Sequence, residues 1–532
     1  MNSPGGTAGV NTSETTIAKH FSLNQKGRGE MTARSYTVAF QGVEARLVEV
    51  QCAVAPGLPA FSVVGLPDKA VSEARERVRA AFAAMSIALP SRRITINLSP
   101  ADLPKEGSHF DLPIALALLA AIGIIPAEKA EETIALGELS LDGQLMPVAG
   151  ALPAAVTAAE EGRMLLCPEP SGPEAAWVDA AQVIGAATLT EVVQHFTGQR
   201  RIEPSMPGEA ISGLGGKDLR DVKGQEQAKR ALEIAAAGRH HMLMIGPPGS
   251  GKSMLAARLP SILPPLSPAE ALETSMIHSL CGLIDAGGIS RARPFREPHH
   301  TASMAAIAGG GRRAQPGEIS LAHNGVLFLD ELPEFGRPVL ETLRQPLESG
   351  EVMVARANAH VKYPSRFMLI AAANPCKCGY LADANRACSR APICGADYLG
   401  RISGPLLDRF DLHLDVPPVD VSDLELPASA EGSVQVAQRV AVARNTQAER
   451  FRSHPGLRQN ADAEGAVLED IAAPDAESRD LLLRAAERFG LSARGYHRIL
   501  RVARTIADLA CEDRVQRPHF AEALSFRLPS AR

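Results

Sequence analysis

Eight consecutive residues, 246–253, have the types and spacing needed to bind a nucleoside triphosphate. They match the pattern G-x-x-x-x-G-K-[S/T]. Glycines let backbone N–H groups turn toward a phosphate, and the dipole of a following helix adds to the attraction. In this pattern Lys252 reaches the β- and γ-phosphates and the Ser253 hydroxyl binds Mg²⁺. The predicted phosphate loop consists of Gly246, Pro247, Pro248, Gly249, Ser250, Gly251, Lys252 and Ser253.

Two acidic residues follow an apolar run about 80 residues later in the chain. The run, 326–329, is typical of a buried parallel strand, and such strands present functional side chains at their carboxyl ends. Asp330 is therefore expected to bind Mg²⁺ together with Ser253. Glu331 is expected to orient the attacking water and accept its proton.

Two more candidate residues follow predicted elements. Asn374 comes directly after the apolar strand 367–373, where a neutral side chain can hold the water or the γ-phosphate. Arg409 ends a short predicted helix within the sequence Gly-Pro-Leu-Leu-Asp-Arg-Phe-Asp, 404–411.

The order of these motifs resembles that of an AAA+ ATPase. Segments 293–301, 316–323 and 491–498 are similar to the magnesium-chelatase-like branch and, within it, to the ComM (or YifB) family, over about residues 31–526. The resemblance implies a homohexamer that holds ATP and Mg²⁺ between subunits. It also implies that Arg409 is an arginine finger for the neighbour's γ-phosphate and that Arg494 is a second sensor. The alternative for each arginine is a surface or ion-pair residue.

The resemblance and the alternation of elements together predict an α/β protein of several domains. Residues 1–30 are predicted to be a disordered extension, and 31–197 resemble the α+β domain of Lon-type (S5-type) proteases. After a linker at 198–216, residues 217–420 are predicted to form the AAA+ P-loop core with a doubly wound parallel sheet. A second linker, 421–436, leads to an all-helical lid at 437–532.

The Lon-like domain lacks the residues of a peptidase. Lon-type enzymes have a serine two residues after Pro-Lys-Asp-Gly and a lysine after a later Gly-Gly. Here His109 and Leu152 occupy those positions, and Ser108 is shifted by one residue. A nucleophile needs a partner that takes its proton, so no protease activity is expected.

Four of the eight cysteines fall within 19 residues. Their spacing, C-x-C-x₉-C-x₅-C, is compatible with a tetrahedral zinc site but lacks the usual C-x₂-C pairs. Free thiols or a redox pair are the alternatives. The candidate zinc ligands are Cys376, Cys378, Cys388 and Cys394.

Two glycine- or charge-rich segments are candidates for loops that touch DNA. Residues 352–363 alternate as a hairpin does and carry Arg356, His360 and Lys362. In residues 309–313, three glycines are followed by Arg312 and Arg313. The alternative is a solvated hairpin. Local hydrogen bonds, rather than a metal, are expected for the nearby His299 and His300.

The C-terminal region from Arg479 onward contains eleven arginines and no lysine. Arg498, Arg501 and Arg504 recur along one face of a predicted helix. They suit nucleotide sensing, subunit contacts or DNA phosphates, and equally they suit ion pairs with acids of the same chain such as Asp508.

Composition excludes several classes of protein. The 532 residues carry a net charge of −5 with 45% hydrophobic and 22% charged residues, which is typical of a globular protein without overall attraction to nucleic acid. The longest apolar stretch, 112–127, is shorter than the ~18 residues that span a bilayer, so a buried helix is expected. A polar N-terminus without a signal peptide and the scattered cysteines favour the reducing cytoplasm.

The function that these inferences favour is an ATP-driven hexameric motor on single-stranded and branched DNA. The resemblance implies branch migration and strand integration in homologous recombination during natural transformation, with recombination or competence proteins as further candidate partners. Two alternatives stay open: the ATPase subunit of magnesium chelatase, and a protein-remodelling or scaffold ATPase.

Overall fold

The computed structural model describes residues 31–210, 217–311, 314–355, 360–381, 386–419 and 431–527, with positions 422, 425 and 427. These residues form two compact units, one from 31–209 with 279–289 and one from 210–278 with 290–527. Several predictions fall outside the described residues: the extension 1–30, residues 211–216 of the first linker, part of the second linker, Arg312, Arg313 and Arg356, and the side chain of His360.

The first unit contains a mixed seven-stranded sheet. Its strand order is β3-β4-β2-β1-β5-β8-β9, and a short β6–β7 ladder lies beside it. The strands are β1 (Met31–Gln41), β2 (Glu44–Ala55), β3 (Ala60–Val64), β4 (Arg93–Ser99), β5 (Thr133–Ala135), β6 (Glu138–Leu139), β7 (Leu145–Met146), β8 (Met164–Pro168) and β9 (Val183–Ala186). The long strands β1, β2 and β4 pair antiparallel, as their alternation of apolar and polar residues predicts.

Helices cover this sheet and build its core. They are α1 (Lys69–Ala84), α2 (Asp111–Ala121), α3 (Ala127–Glu131), α4 (Ala151–Glu160), α5 (Gly172–Ala175) and α6 (Leu189–Phe196). Every residue of α2 is buried, which confirms the expectation of a buried helix. Across the described residues, no helix combines the length and the apolar character that crossing a membrane would take.

The first unit includes two segments that the sequence did not assign to it. Residues 198–209 pack on its sheet, where the Ser205 N–H donates to the Val183 carbonyl over 2.9 Å. Residues 279–289 also belong to it, and the Trp177 indole donates to the Gly287 carbonyl over 2.8 Å. These contacts join residues far apart in the chain, so no local pattern could reveal them.

The second unit is built around a parallel five-stranded sheet of order β11-β14-β17-β10-β18. Because all five strands run the same way, their carboxyl ends meet at one edge of the sheet. The strands of this unit are β10 (Met242–Ile245), β11 (Phe295–Arg296), β12 (Gly309–Gly310), β13 (Gln315–Pro316), β14 (Val326–Leu329), β15 (Glu351–Ala355), β16 (His360–Pro364), β17 (Met368–Ala373) and β18 (Leu412–Asp415).

The helices of the second unit flank the sheet and then form the helical C-terminal region. Before residue 420 they are α7 (Glu226–Gly238), α8 (Lys252–Ala256), α9 (Pro268–Leu280), α10 (Met304–Ala308), α11 (Glu318–Leu321), α12 (Arg337–Thr342), α13 (Arg344–Ser349), α14 (Ile393–Leu399) and α15 (Gly404–Leu407). Thereafter they are α16 (Ser433–Arg450), α17 (Gly465–Ile471), α18 (Ala476–Phe489), α19 (Ala493–Leu509) and α20 (Arg517–Ser525). An α/β core with a parallel sheet and a helical C-terminus is thus confirmed.

Candidate nucleotide-binding site

The phosphate loop connects the carboxyl end of β10 to the first turn of α8. Gly246 is required where it stands, because a Cβ there would lie 2.2 Å from the Val416 carbonyl oxygen. Gly249 and Gly251 have φ angles of 76° and 87°, and no atom lies within 4 Å of the position a Cβ would take. The loop therefore has an open concave face lined by backbone, as a phosphate requires.

Lys252 is buried at the base of this loop. Its ammonium group donates to the carbonyl oxygens of Gly246 and Pro247 over 2.8 and 2.9 Å, and to Oδ1 of Asn374 over 3.3 Å. Burial lowers the pKa of Lys252, and the two carboxylates that follow β14 raise it. Lys252 is thus held beside the open loop, and Asn374, which follows β17, lies next to it.

Ser253 and Asp330 meet across the loop. The Ser253 hydroxyl donates to Oδ2 of Asp330 over 2.6 Å, although 77 residues separate them in the chain. Hydroxyl and carboxylate oxygens are ligands that Mg²⁺ accepts, usually together with waters and substrate phosphates. The pair therefore fits a magnesium ion bound with a nucleotide.

Glu331 lies beside this pair in a strained backbone conformation. Its φ is 52°, in the left-handed region, and its N–H donates to Oδ1 of Asp330 over 2.9 Å. Its carboxylate is 48% exposed and lies 3.5 Å from Nδ1 of His300. Strain of this kind persists at functional sites where the surroundings impose it, and here it accompanies a carboxylate that is half-exposed.

The structure adds two residues to which sequence reasoning gave no role in catalysis. Glu297 follows β11 at the same sheet edge, and burial together with the charge of Asp330 raises its pKa. His300 reaches Glu331, while His299 bonds to Thr301 over 2.8 Å, as local hydrogen bonding predicted. The signal for Glu297 was available, because a polar residue directly after a short strand faces the same edge as Asp330.

Arg409 has intramolecular partners. Its side chain is only 6% exposed; Nη1 donates to the Pro405 carbonyl over 2.8 Å, and Nη2 donates to Oε1 of Glu348. Burial and the nearby positive charge of Arg494 lower the pKa of Arg409, and Glu348 raises it. An arginine finger would extend toward a neighbouring copy. In the single chain, the Arg409 guanidinium instead bonds to groups of its own chain.

Arg494 and the other C-terminal arginines differ in their surroundings. Arg494 is exposed in the first turn of α19. Arg498 donates to Asp411 over 2.7 Å, and Arg501 donates to Glu464 over 3.0 Å. Arg504 donates to Asp508, one helical turn further along α19. These three arginines thus form ion pairs within the chain, which was one of the two interpretations of the pattern.

The cysteine segment does not have the geometry of a zinc site. Sγ of Cys376 and Sγ of Cys378 lie 3.0 Å apart, whereas two sulfurs on one tetrahedral zinc are separated by about 3.8 Å. Among the described residues, which include Cys388 and Cys394, no group of three or more potential ligands is arranged to hold a metal ion. The expectation of structural zinc is therefore not supported, and the four cysteines are free thiols.

The predicted hairpin is present in the structure. Strands β15 and β16, which precede and follow the undescribed residues 356–359, pair antiparallel, and Lys362 is ion-paired with Glu351 over 3.4 Å. Gly309 and Gly310 also form a short antiparallel ladder, with Gln315 and Pro316.

No Ser–Lys pair exists at the positions considered in the first unit. His109 is buried, and its Nε2 lies 2.9 Å from the Val38 carbonyl oxygen. Leu152 is fully buried in α4. Both side chains are part of the core of the first unit.

Comparison with known proteins identifies the family. The family described as "Magnesium chelatase, subunit ChlI" matches residues 218–424, its C-terminal counterpart matches 430–527, and "Subunit ChlI of Mg-chelatase" matches 48–171. The competence protein ComM of Haemophilus influenzae is 45% identical over 92% of this chain and 96% of its own length.

The chain belongs to the ComM/YifB family. The YifB protein of Escherichia coli is 44% identical, with the same coverage. The 38 kDa magnesium-chelatase subunit of Rhodobacter capsulatus is 25% identical over 55% of this chain and 74% of its own length. ComM homologues are thus magnesium-chelatase-like AAA+ ATPases, and ATP with Mg²⁺ is what this family implies. The Lon-type description of the first unit is not confirmed, because the description matched there is that of a chelatase subunit.

Proposed function

We propose that this chain is a DNA motor of the ComM type, which uses ATP hydrolysis to promote branch migration and strand integration during natural transformation. Its 45% identity to a competence protein over nearly its whole length carries the proposal. The nucleotide site supports it, since the groups needed for phosphoryl transfer to water converge there. We further propose that it acts as a cytoplasmic homohexamer on single-stranded and branched DNA, with other recombination proteins.

Each residue of the site has a distinct part in this proposal. Lys252 binds the β- and γ-phosphates, and Ser253 and Asp330 hold Mg²⁺, which neutralises charge on those phosphates. Glu331 accepts the proton of the attacking water, and Asn374 orients that water. His300 positions the Glu331 carboxylate, because it lies within 3.5 Å of it.

A role for Arg409 at a neighbouring site requires a change of partner. Its guanidinium must exchange the Glu348 carboxylate for the triphosphate held by the next copy. Glu348 is 56% exposed and Arg409 only 6%, so the exchange frees a surface carboxylate and must bring the buried guanidinium to the surface. Arg494, exposed on α19, is proposed as a second phosphate sensor.

The decisive experiment compares ATP hydrolysis by the purified protein without DNA, with single-stranded DNA and with a four-way junction. We expect DNA to stimulate turnover, and we expect the stimulation to weaken steeply with salt because bound phosphates release counterions. Glu331→Gln should lower turnover by at least about 100-fold and abolish strand exchange while ATP binding persists. Glu449→Gln, which alters an exposed pair with Arg452, is the matched control and should behave as the parent.

Two results would redirect the assignment. Unchanged turnover and assembly in the presence of DNA contradict the DNA motor and favour a protein-remodelling ATPase. ATP-dependent insertion of Mg²⁺ into protoporphyrin favours the chelatase alternative, which the 25% identity to a chelatase subunit supports.

A further inference from the structure

A cavity rich in arginine lies in the second unit, at the edge of the parallel sheet opposite the phosphate loop. Arg239, Arg293 and Arg366 each stand two or three residues before a strand, β10, β11 and β17 respectively. They therefore lie at the amino ends of strands whose carboxyl ends carry the nucleotide site. With about 3.3 Å per residue, the six residues of β17 alone separate the two edges by roughly 20 Å.

The cavity has an excess of positive charge. Its five guanidinium groups are accompanied by three carboxylates: Glu270 lines the cavity, Asp462 is paired with Arg239, and Glu273 lies 3.7 Å from Arg458. Among these eight described groups the positive charges exceed the negative ones by two, although Asp462 also attracts Arg366 and both Glu270 and Asp462 attract Arg444. The five arginines are Arg239, Arg293, Arg366, Arg444 and Arg458.

Some of the guanidinium donors are also unused. In the described part of the chain, no group forms a hydrogen bond or ion pair with the Arg366 guanidinium. Nε of Arg239 is buried and lacks a hydrogen-bond partner among the described residues. A buried donor without a partner costs free energy, so these donors point to a ligand that accepts hydrogen bonds.

Repulsion between the arginines agrees with this view. Burial lowers the pKa of Arg444 strongly, and the charges of Arg293 and Arg239 lower it further, against the opposing charge of Glu270. Burial also lowers the pKa of Arg293; Glu270 opposes that shift, while Arg239 and Arg458 add to it. An anion between these groups would relieve the repulsion.

We propose that this cavity is a second anion site, which binds one phosphate group as a dianion. The space between its atoms, about 390 Å³, includes the opening to solvent, and guanidinium forks match phosphate oxygens in pairs. The phosphate is either free inorganic phosphate or the terminal 5′-phosphate of a DNA strand. The site does not depend on the motor function proposed above.

The test measures thermal unfolding of the full chain saturated with Mg·ADP, so that the phosphate loop is already occupied. Inorganic phosphate replaces chloride at constant ionic strength. The parent should gain about 2–4 °C at a phosphate concentration tenfold above its dissociation constant. Short oligonucleotides with a 5′-phosphate or a 5′-hydroxyl distinguish the two sources, since a gain confined to the phosphorylated strand assigns the site to DNA.

Arg366→Gln should lose the phosphate-dependent gain. Without phosphate it should melt at the same or a higher temperature than the parent, because a repelled charge has been removed. An arginine with a purely structural role would show the reverse pattern. Arg452→Gln, an exposed arginine elsewhere, should keep the full gain.

A second variant tests the site even if Arg366→Gln does not fold. Arg458→Gln changes a residue that is 41% exposed, and it should weaken phosphate binding several-fold. The proposal is overturned if the parent gains no stability from phosphate or from the phosphorylated strand, or if both variants keep the parental gain.

Discussion

Two buried lysines, one in each unit, have similar burial and different surroundings. Lys105 of the first unit is fully buried, and its ammonium group donates to the Pro100 carbonyl. Lys252 of the second unit is 7% exposed and donates to two carbonyls of its own loop. Burial lowers the pKa of both.

The two lysines differ in the surroundings of the carbonyl groups that their ammonium groups contact. The Lys252 carbonyls belong to a loop with an open glycine face, so a phosphate can approach and replace them as the main partner of the ammonium group. The N–H and carbonyl groups of Lys105 are bonded to Leu66 and Asp68, so its backbone forms part of a closed structure. A buried cation indicates a binding site only where the adjoining surface is open.

The same contrast applies to two arginine–carboxylate pairs. In the first unit Arg77 donates twice to Asp111, over 2.5 and 2.9 Å, and Asp111 is fully buried. In the second unit Arg409 is buried while its partner Glu348 is 56% exposed. The first pair is held firmly because loss of Arg77 would leave the Asp111 charge buried and unpaired. In the second pair Glu348 can turn to solvent, so only the Arg409 charge has to be brought to the surface.

The largest effect is expected from replacing the two lysines in turn. Lys252→Met should lower ATP turnover by about 10³-fold, because a positive group that stabilises the transferring phosphate is lost. Lys105→Met should leave turnover unchanged. ATPase assays beside melting curves check both variants. Loss of turnover in a well-folded Lys105→Met protein would contradict a purely structural role for Lys105.

A smaller effect is expected from Glu348→Gln. Removing the carboxylate that occupies Arg409 should raise turnover several-fold, because less of the protein is held in the inactive pairing. The gain should vanish when Arg409→Ala is added, and Arg409→Ala alone should be strongly impaired. Equal turnover in the Glu348→Gln protein and the parent would show that the pair does not restrain Arg409.

The smallest effect is a difference in acid sensitivity. Burial lowers the pKa of His241 to about 3 and of His413 to about 4, from 6.5. The folded second unit therefore cannot take up protons that the unfolded chain binds, and its stability falls as pH drops from 6.5 toward 4. The slope is roughly 3 kcal/mol per pH unit for the two histidines.

The first unit should respond less to acid. Burial lowers the pKa of His195, but burial raises that of Glu174, whose contribution to stability is present below pH 4.5 and lost as pH rises through its folded value. Fluorescence of Trp177, the single tryptophan, reports on this unit, and far-UV circular dichroism reports on the whole chain. Between pH 7 and 5 the midpoint from circular dichroism should fall further than the midpoint from fluorescence. Equal shifts of the two midpoints would contradict the greater acid sensitivity of the second unit.

Local patterns in the sequence predicted the parts of the fold that depend on neighbouring residues. The strands before the phosphate loop and before Asp330, the buried helix α2 and the hairpin β15–β16 are each defined by a short run of residues. Their positions at one sheet edge followed from the parallel arrangement. This is why the sequence alone places Lys252 and Asp330 together.

Contacts between distant residues could not be predicted in this way. Glu348 precedes Arg409 by 61 residues, and its role as a partner depends on how α13 packs. The contact of His300 with Glu331 depends on a loop that has no periodic pattern. The cysteine segment shows the opposite case. The spacing of its cysteines is compatible with a zinc site, but the positions of their sulfurs are not.

The return of residues 279–289 to the first unit makes the chain hard to divide. A protein that ends at residue 209 would lack two partners of the first unit. One is the backbone carbonyl that accepts the Trp177 indole hydrogen, and the other is the Ser279 hydroxyl, which donates to Glu174. Evolutionary exchange or genetic deletion of the front half would therefore leave an uncovered surface on each fragment. Complementary fragments for reconstitution are better separated at a surface turn within one unit than at the apparent border between the two.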